Sequence, residues 1–293
     1  MGLFLSHLPL LRLPYFWDEA GYYIPAARDL WLAGELIPHS TPSNAHPPLV
    51  MAYLALWWKI AGFAPVVTRT AMLFAAAFSL LGIFRLAQRI ANCEVAVAST
   101  ICCALYPVFF AQSTLAHLDL AAAGLIFWGL HAYVEERWSA AVAWFSVSAL
   151  AKETAILVPL ALIVWEAVSS LARSEARHRR KSLSLLLPVI PLGVWYCYHF
   201  WQTGYVFGNP EFFRYNVQGT LHPLRILIAL LMRLWQAVGY MNLFALTVAA
   251  LLAMWRPPVT QSMGEAGTAG GRPALRLRIT LDIQFAFLVV AVV

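Results

Sequence analysis

Charge is what this sequence has least of. Asp, Glu, Lys and Arg make up 12% of its 293 residues, about half of the ~25% usual in soluble domains. That scarcity argues against an ordinary soluble enzyme. The four cysteines, Cys93, Cys102, Cys103 and Cys197, form no CxxC pair, so neither a zinc ribbon nor a dithiol redox motif is signalled. They read as small buried side chains. No internal repeat is visible. The opening stretch, MGLFLSHLPLLRL, has no basic n-region and no clear cleavage site, which argues against a signal peptide.

What is abundant is apolar. The hydrophobic fraction is 61%, with twelve Trp and seventeen Phe, and the mean hydropathy is +0.69. Apolar runs fall near 48–61, 66–84, 95–112, 118–134, 138–151, 154–170, 183–201, 224–255 and 280–293, separated by islands of charge. Spacing of this kind predicts an all-α, polytopic transmembrane bundle. The first thirteen residues are too few to cross a bilayer and read as the remnant of a first span. The last residues stop inside an apolar run, so truncation at both ends is expected. Residues 14–62 form an outer acidic loop with juxtamembrane helices, 63–170 the core spans, and 171–293 further spans with an incomplete C-terminus.

Charge sets the orientation. Segment 171–181 carries five Lys or Arg against one Glu, and the Gly- and Pro-rich loop 256–279 four Arg against one Glu. Both should face the cytoplasm. Loop 14–46 holds Asp18, Glu19, Asp29 and Glu35 against Arg28 alone and should lie outside, as should 202–223. The net charge of +6 therefore reads as membrane orientation and not as a nucleic-acid surface. Counting crossings back from 171–181 makes 48–61 an interfacial or re-entrant helix. It is short, bounded by Pro47-Pro48 and Gly62, and contains Lys59. The same count places Asp18, Glu19, His46, Asp119 and Lys152 on one side.

Asp18 and Glu19 are adjacent, so on a helix they do not share a face and can hold separate roles. Either could serve as a first-turn acid facing the helix dipole, which is worth about 0.3–1 kcal/mol. Trp17, Tyr22 and Tyr23 beside them suit a sugar or another flat amphipathic ligand. His46 precedes two prolines at a helix start and could donate to a phosphate or ligate a metal. Asp119 heads an apolar helix with His117 close by, a costly placement that favours function. Lys152 stands at another outer end, where snorkelling is the plain alternative.

These residues sit in a recognisable order: WDEAGYYIPAARDLWLAGE, HPPLVMAYLALWWKIAG, TRTAM, STLAHLDL and LAKETA. Between about residues 10 and 170 the chain resembles the GT-C superfamily of membrane glycosyltransferases, in the branch of protein O-mannosyltransferases and lipid A aminoarabinose transferases. The resemblance implies transfer of a sugar from a polyprenyl-phosphate donor to an extracytoplasmic acceptor (protein, lipid A or cell-envelope glycan) at the inner or plasma membrane. It implies inverting displacement with Asp18, Asp119 and Glu19 as the catalytic acids. His46, at a position where the aminoarabinose enzymes have Lys, would meet the donor phosphate, together with Lys152, Arg69 or His117. A divalent cation, Mg²⁺ or Mn²⁺, between Asp18 and Asp119 is optional. A transporter or flippase of lipid-linked substrates is the alternative, but its ionisable groups belong near mid-membrane on broken helices. An inactive truncated relative is the other alternative.

Overall fold

The structure is a computed structural model that describes residues 1–173, 182–214, 218 and 222–238. The basic segment 171–181 beyond Arg173, the loop 256–279 and the run 280–293 lie outside the described residues. The chain divides into two units, Met1–Asn216 and Val217–Val292.

Among the described residues every regular element is helical. In the first unit the α-helices are α1 (Gly2–His7), α2 (Ile24–Ala33), α3 (Leu49–Ala61), α4 (Pro65–Ile90), α5 (Cys93–Leu105), α6 (Pro107–Gln112), α7 (Leu118–Val134), α8 (Trp138–Ala151), α9 (Leu157–Arg173) and α10 (Val189–Thr203), followed by a three-residue helical turn, Pro210–Phe212. A 3-10 turn, Leu183–Leu186, leads into α10. In the second unit, α11 is Pro223–Val238.

The punctuation follows the sequence. Pro65 opens α4 in its first turn, where its missing N–H is no loss. Gly34 closes α2 in the left-handed conformation at φ 73°, as a helix end prefers. The run 95–112, expected as one span, is two helices. Tyr106 is extended (φ −63°, ψ 126°) between α5 and α6, because the residue before Pro107 is driven out of helical space.

Among the described residues two helices, Pro65–Ile90 and Leu183–Thr203, are long and apolar enough to cross a bilayer. The 26 residues of α4 reach roughly 39 Å at 1.5 Å per residue. Ala71, Ala76, Ser79 and Gly82 are buried with Met72 and Leu73, while Phe74, Phe78 and Leu81 are exposed. Small residues at the packed seam and large apolar side chains facing outward suit a helix in lipid.

The centre of the first unit is α7, packed along both α4 and α8. Gly124 allows the first contact: a Cβ there would lie 2.0 Å from Ser79 Oγ and 3.0 Å from the Ser79 Cα. Ser79 Oγ donates to the carbonyls of Ala75 (2.8 Å) and Leu120 (3.2 Å) across this seam. Gly129 meets α8, where a Cβ would lie 2.5 Å from the Phe145 ring. Gly124→Val should therefore destabilise the bundle by about 1–3 kcal/mol, the usual cost of overpacking. A melting temperature equal to that of the wild type in detergent would mean the seam is looser than this.

Candidate active site

The first acid pair is built by a reversal of the chain. Trp17 takes a left-handed backbone, φ 52°, uncommon for a bulky residue. A single π-helical turn, Glu19–Tyr23, follows and runs into α2. The turn sends the two acids apart. Asp18 is exposed and makes no capping hydrogen bond. Glu19 is fully buried.

Glu19 meets Arg69 of α4 through two contacts, Arg69 Nη1 to Oε1 at 2.8 Å and Nη2 to Oε2 at 3.0 Å. The Ala116 N–H donates to the same Oε1 at 2.6 Å. Arg69 also donates to the carbonyls of Thr114 (Nη1, 2.8 Å) and Pro14 (Nη2, 2.8 Å), with the Tyr15 and Phe16 rings 5.7 and 6.0 Å from its Cζ. The pair thus ties the acid loop to α4 and to the approach to α7. Arg69 was a candidate for the donor phosphate, but its side chain is 1% exposed and its Nη groups already serve four oxygens.

The second group forms where α8 gives way to the 3-10 turn Glu153–Ile156. Two consecutive residues there reach different partners. Lys152 Nζ donates to Asp119 Oδ1 in the first turn of α7, and Glu153 Oε2 accepts from His46 Nδ1 at 2.8 Å. Burial pushes the Glu153 carboxyl up, but the bond and charge of His46, its own backbone N–H and Lys152 outweigh this and hold it below its ordinary value. An ionised Glu153 can only accept, so His46 carries a proton on Nδ1.

Tyr23 lies between the groups. Its ring centroid is 6.1 Å from that of His46 and 5.8 Å from that of His117. Burial, then the fields of Asp119, Asp18 and Glu153, push its hydroxyl well above the ordinary tyrosine value. Tyr23 therefore stays a neutral donor. The structure brings His46, His117, Asp119 and Lys152 around Tyr23 and Glu153, with Asp18 near enough for its field to act on Tyr23. Glu19 and Arg69 sit apart from them as a buried pair. Glu153 was not among the site residues read from the sequence, and Tyr23 was read there only as one of the aromatics beside the acid pair. Their signal was adjacency, Glu153 to Lys152 and Tyr23 to the aromatic run after Asp18. Among the described residues no group of three or more His, Cys, Asp or Glu side chains is placed to hold a metal ion.

Residues 45–196, just over half of the chain, match the family described as dolichyl-phosphate-mannose-protein mannosyltransferase. The chain belongs to this family. For this mannosyltransferase-family chain the match starts one residue before His46 and takes in Arg69, His117, Asp119, Lys152 and Glu153, while Asp18, Glu19 and Tyr23 precede it. Two solved structures share the fold. One is ArnT from Cupriavidus metallidurans bound to undecaprenyl phosphate, at 16% identity and TM-score 0.62 over 99% of this chain and 55% of that one. The other is the same protein in the apo state, at 16% identity and TM-score 0.57 over 99% and 59%. The likeness is one of fold. The chain spans less than two thirds of the length of either. A comparison with curated proteins finds no match.

Proposed function

We propose that this chain carries the donor site of a glycosyltransferase. It moves a sugar from a polyprenyl-phosphate donor to an acceptor on the extracytoplasmic side of the plasma (inner) membrane. The observation that carries the reading is the pair of nitrogen donors, Lys152 and His46, gathered by consecutive residues of one turn beside Tyr23. An anionic leaving group needs such donors. Membership of the mannosyltransferase family and the undecaprenyl phosphate seen on ArnT support the same donor class. The acceptor is a protein, lipid A or a cell-envelope glycan.

The step is a direct displacement. Asp18 takes the proton of the acceptor hydroxyl. The acceptor oxygen attacks the anomeric carbon from the face opposite the phosphate, the carbon–oxygen bond to phosphate breaks, and the bonding pair leaves with the phosphate. Configuration inverts. Lys152 and His46 meet the developing charge, with His117 beside them. Asp119 aims Lys152, and Tyr23 offers its ring face and hydroxyl to the sugar. Glu19 and Arg69 hold the loop that presents Asp18. Asp18 and Asp119 offer the hard oxygens that Mg²⁺ or Mn²⁺ takes. Two carboxylates fit such an ion only if phosphate and water complete its shell.

Lys152→Met should lower kcat/KM for the donor by roughly 10–150-fold, the worth of one charge-assisted hydrogen bond. The assay is transfer from polyprenyl-phosphate sugar by the purified full-length protein. Transfer by the variant at the wild-type rate would remove Lys152 from the site. No transfer by the wild type from any such donor would remove the reading.

The site's side of the membrane depends on α3. Its 13 residues span only about 20 Å, a length that α5 and α8, at 13 and 14 residues, hardly exceed, so the count of crossings back from the basic segment 171–181, and not length, puts it at the outer interface in this reading. Topology reporters fused after Gly34 and after Gly62 should report the same side. Opposite sides would make α3 a crossing and put Asp18 and Asp119 on different faces.

A further inference from the structure

The His46 loop is held from behind with unusual care. Ala45 is left-handed, φ 60°, a strained choice for a residue with a Cβ. It is 4% exposed, and both its backbone groups are bound. Its N–H donates to Ser43 Oγ at 3.2 Å, and its carbonyl accepts from Trp195 Nε1 at 2.9 Å. Ser43 is itself fastened. Its Oγ lies 2.8 Å from Nε2 of the buried His199, and its carbonyl accepts from Asn209 Nδ2 at 3.1 Å. The helix α10 and the loop after it therefore fix the backbone on which His46 stands.

A fixed backbone does not fix an imidazole. The ring can turn about its last bond and exchange its two nitrogens, which a lysine ammonium, alike in all directions, has no need to control. Glu153 supplies the missing constraint. Its carboxylate takes Nδ1 at 2.8 Å in a largely buried contact, with the two side chains 24% and 15% exposed. Nε2 has no hydrogen-bond partner among the described residues. A phosphate oxygen at Nε2 would find a nitrogen already aimed, and a protonated ring would give it a charge-assisted bond.

We propose that Glu153 is a positioning residue that selects which nitrogen of His46 faces the donor, turning Nδ1 inward and leaving Nε2 for the lipid phosphate. Lys152 and Glu153 then divide the work of one turn. The first contributes a cation directly, and the second orients one that is 107 residues away in sequence. This inference rests on the proposed donor class, and the test separates the two.

The probe is undecaprenyl phosphate, titrated onto the purified full-length protein, with Kd as the readout. Glu153→Ala should weaken binding by roughly 10–100-fold, the range for a hydrogen bond to a charged group. In a His46→Ala background the same substitution should change Kd by less than about twofold, because a residue acting through His46 has nothing left to orient. If Glu153→Ala does not fold, Glu153→Gln, which keeps the volume, carries the same comparison with a smaller loss. An unchanged Kd in the folded variant, or a penalty that persists in full without His46, overturns the inference and leaves the donor class standing. A wild-type protein that binds no lipid phosphate overturns the donor class and this inference with it.

Discussion

Glu19→Gln lowers the stability of the protein by about 3–5 kcal/mol, the cost of breaking a buried ion pair from one side. Glu19 is 0% and Arg69 1% exposed, so water cannot take over the abandoned charge. The amide of the new side chain would also set an N–H against Arg69 Nη2, which now donates to Oε2 at 3.0 Å. A donor facing a donor loses the contact outright. In melting temperature the loss amounts to roughly 6–20 °C for a chain of this size. Arg69→Met should be comparably damaging, since it strands the Glu19 carboxylate. The double variant Glu19→Leu with Arg69→Met should cost much less than the sum, because it removes both charges together. A Glu19→Gln protein that melts within 2 °C of the wild type would mean the pair is neither as dry nor as tight as its geometry.

That figure is several times what the sequence suggests. A helix-end acid is worth about 0.3–1 kcal/mol, and nothing near Glu19 in the chain announces Arg69, 50 residues away. Local reasoning does establish that the adjacent acids face different ways, and the turn at Glu19–Tyr23 separates them. The break at Pro107 was missed, because an unbroken apolar run hid it, although the residue before a proline resists the helix. Burial on α4 was harder to anticipate. Arg69 reads as a candidate for the donor phosphate, and only packing against the acid loop reveals its partner. The left-handed Ala45 has no local signal at all. Alanine carries no mark of positive φ, and the cause is the Trp195 and Ser43 bonds from distant segments. For the same reason the sequence supplies His46 and Glu153 separately, while their pairing depends on how α3 and the end of α8 come together.

Asp18→Asn lowers turnover by about 10²–10⁴-fold while leaving the fold intact. The magnitude is that of losing a positioned general base. The stability half of the expectation comes from what Asp18 does not do. It stands at the mouth of the Glu19–Tyr23 turn with a helical backbone, φ −60°, and no capping hydrogen bond from its side chain. A true N-cap would be non-helical and would accept an N–H from the first turn. Asp18 is exposed, so an asparagine costs little there, within about 0.5 kcal/mol as for most surface changes. An acid that neither caps nor pairs, beside an ordered aromatic, is free to take a proton. Asparagine keeps the shape and the acceptor oxygen but not the basicity. kcat should therefore fall and the donor Kd should hold, since the proposed mechanism gives the phosphate contacts to Lys152 and His46. The assay is single-turnover transfer from polyprenyl-phosphate sugar by the full-length protein, with melting temperature and undecaprenyl phosphate affinity measured on the same preparation. A variant that folds, binds lipid phosphate and transfers sugar at the wild-type rate would take the base away from Asp18. Asp119 would be next in line, and freeing its carboxylate would require the phosphate to draw Lys152 off it during donor binding.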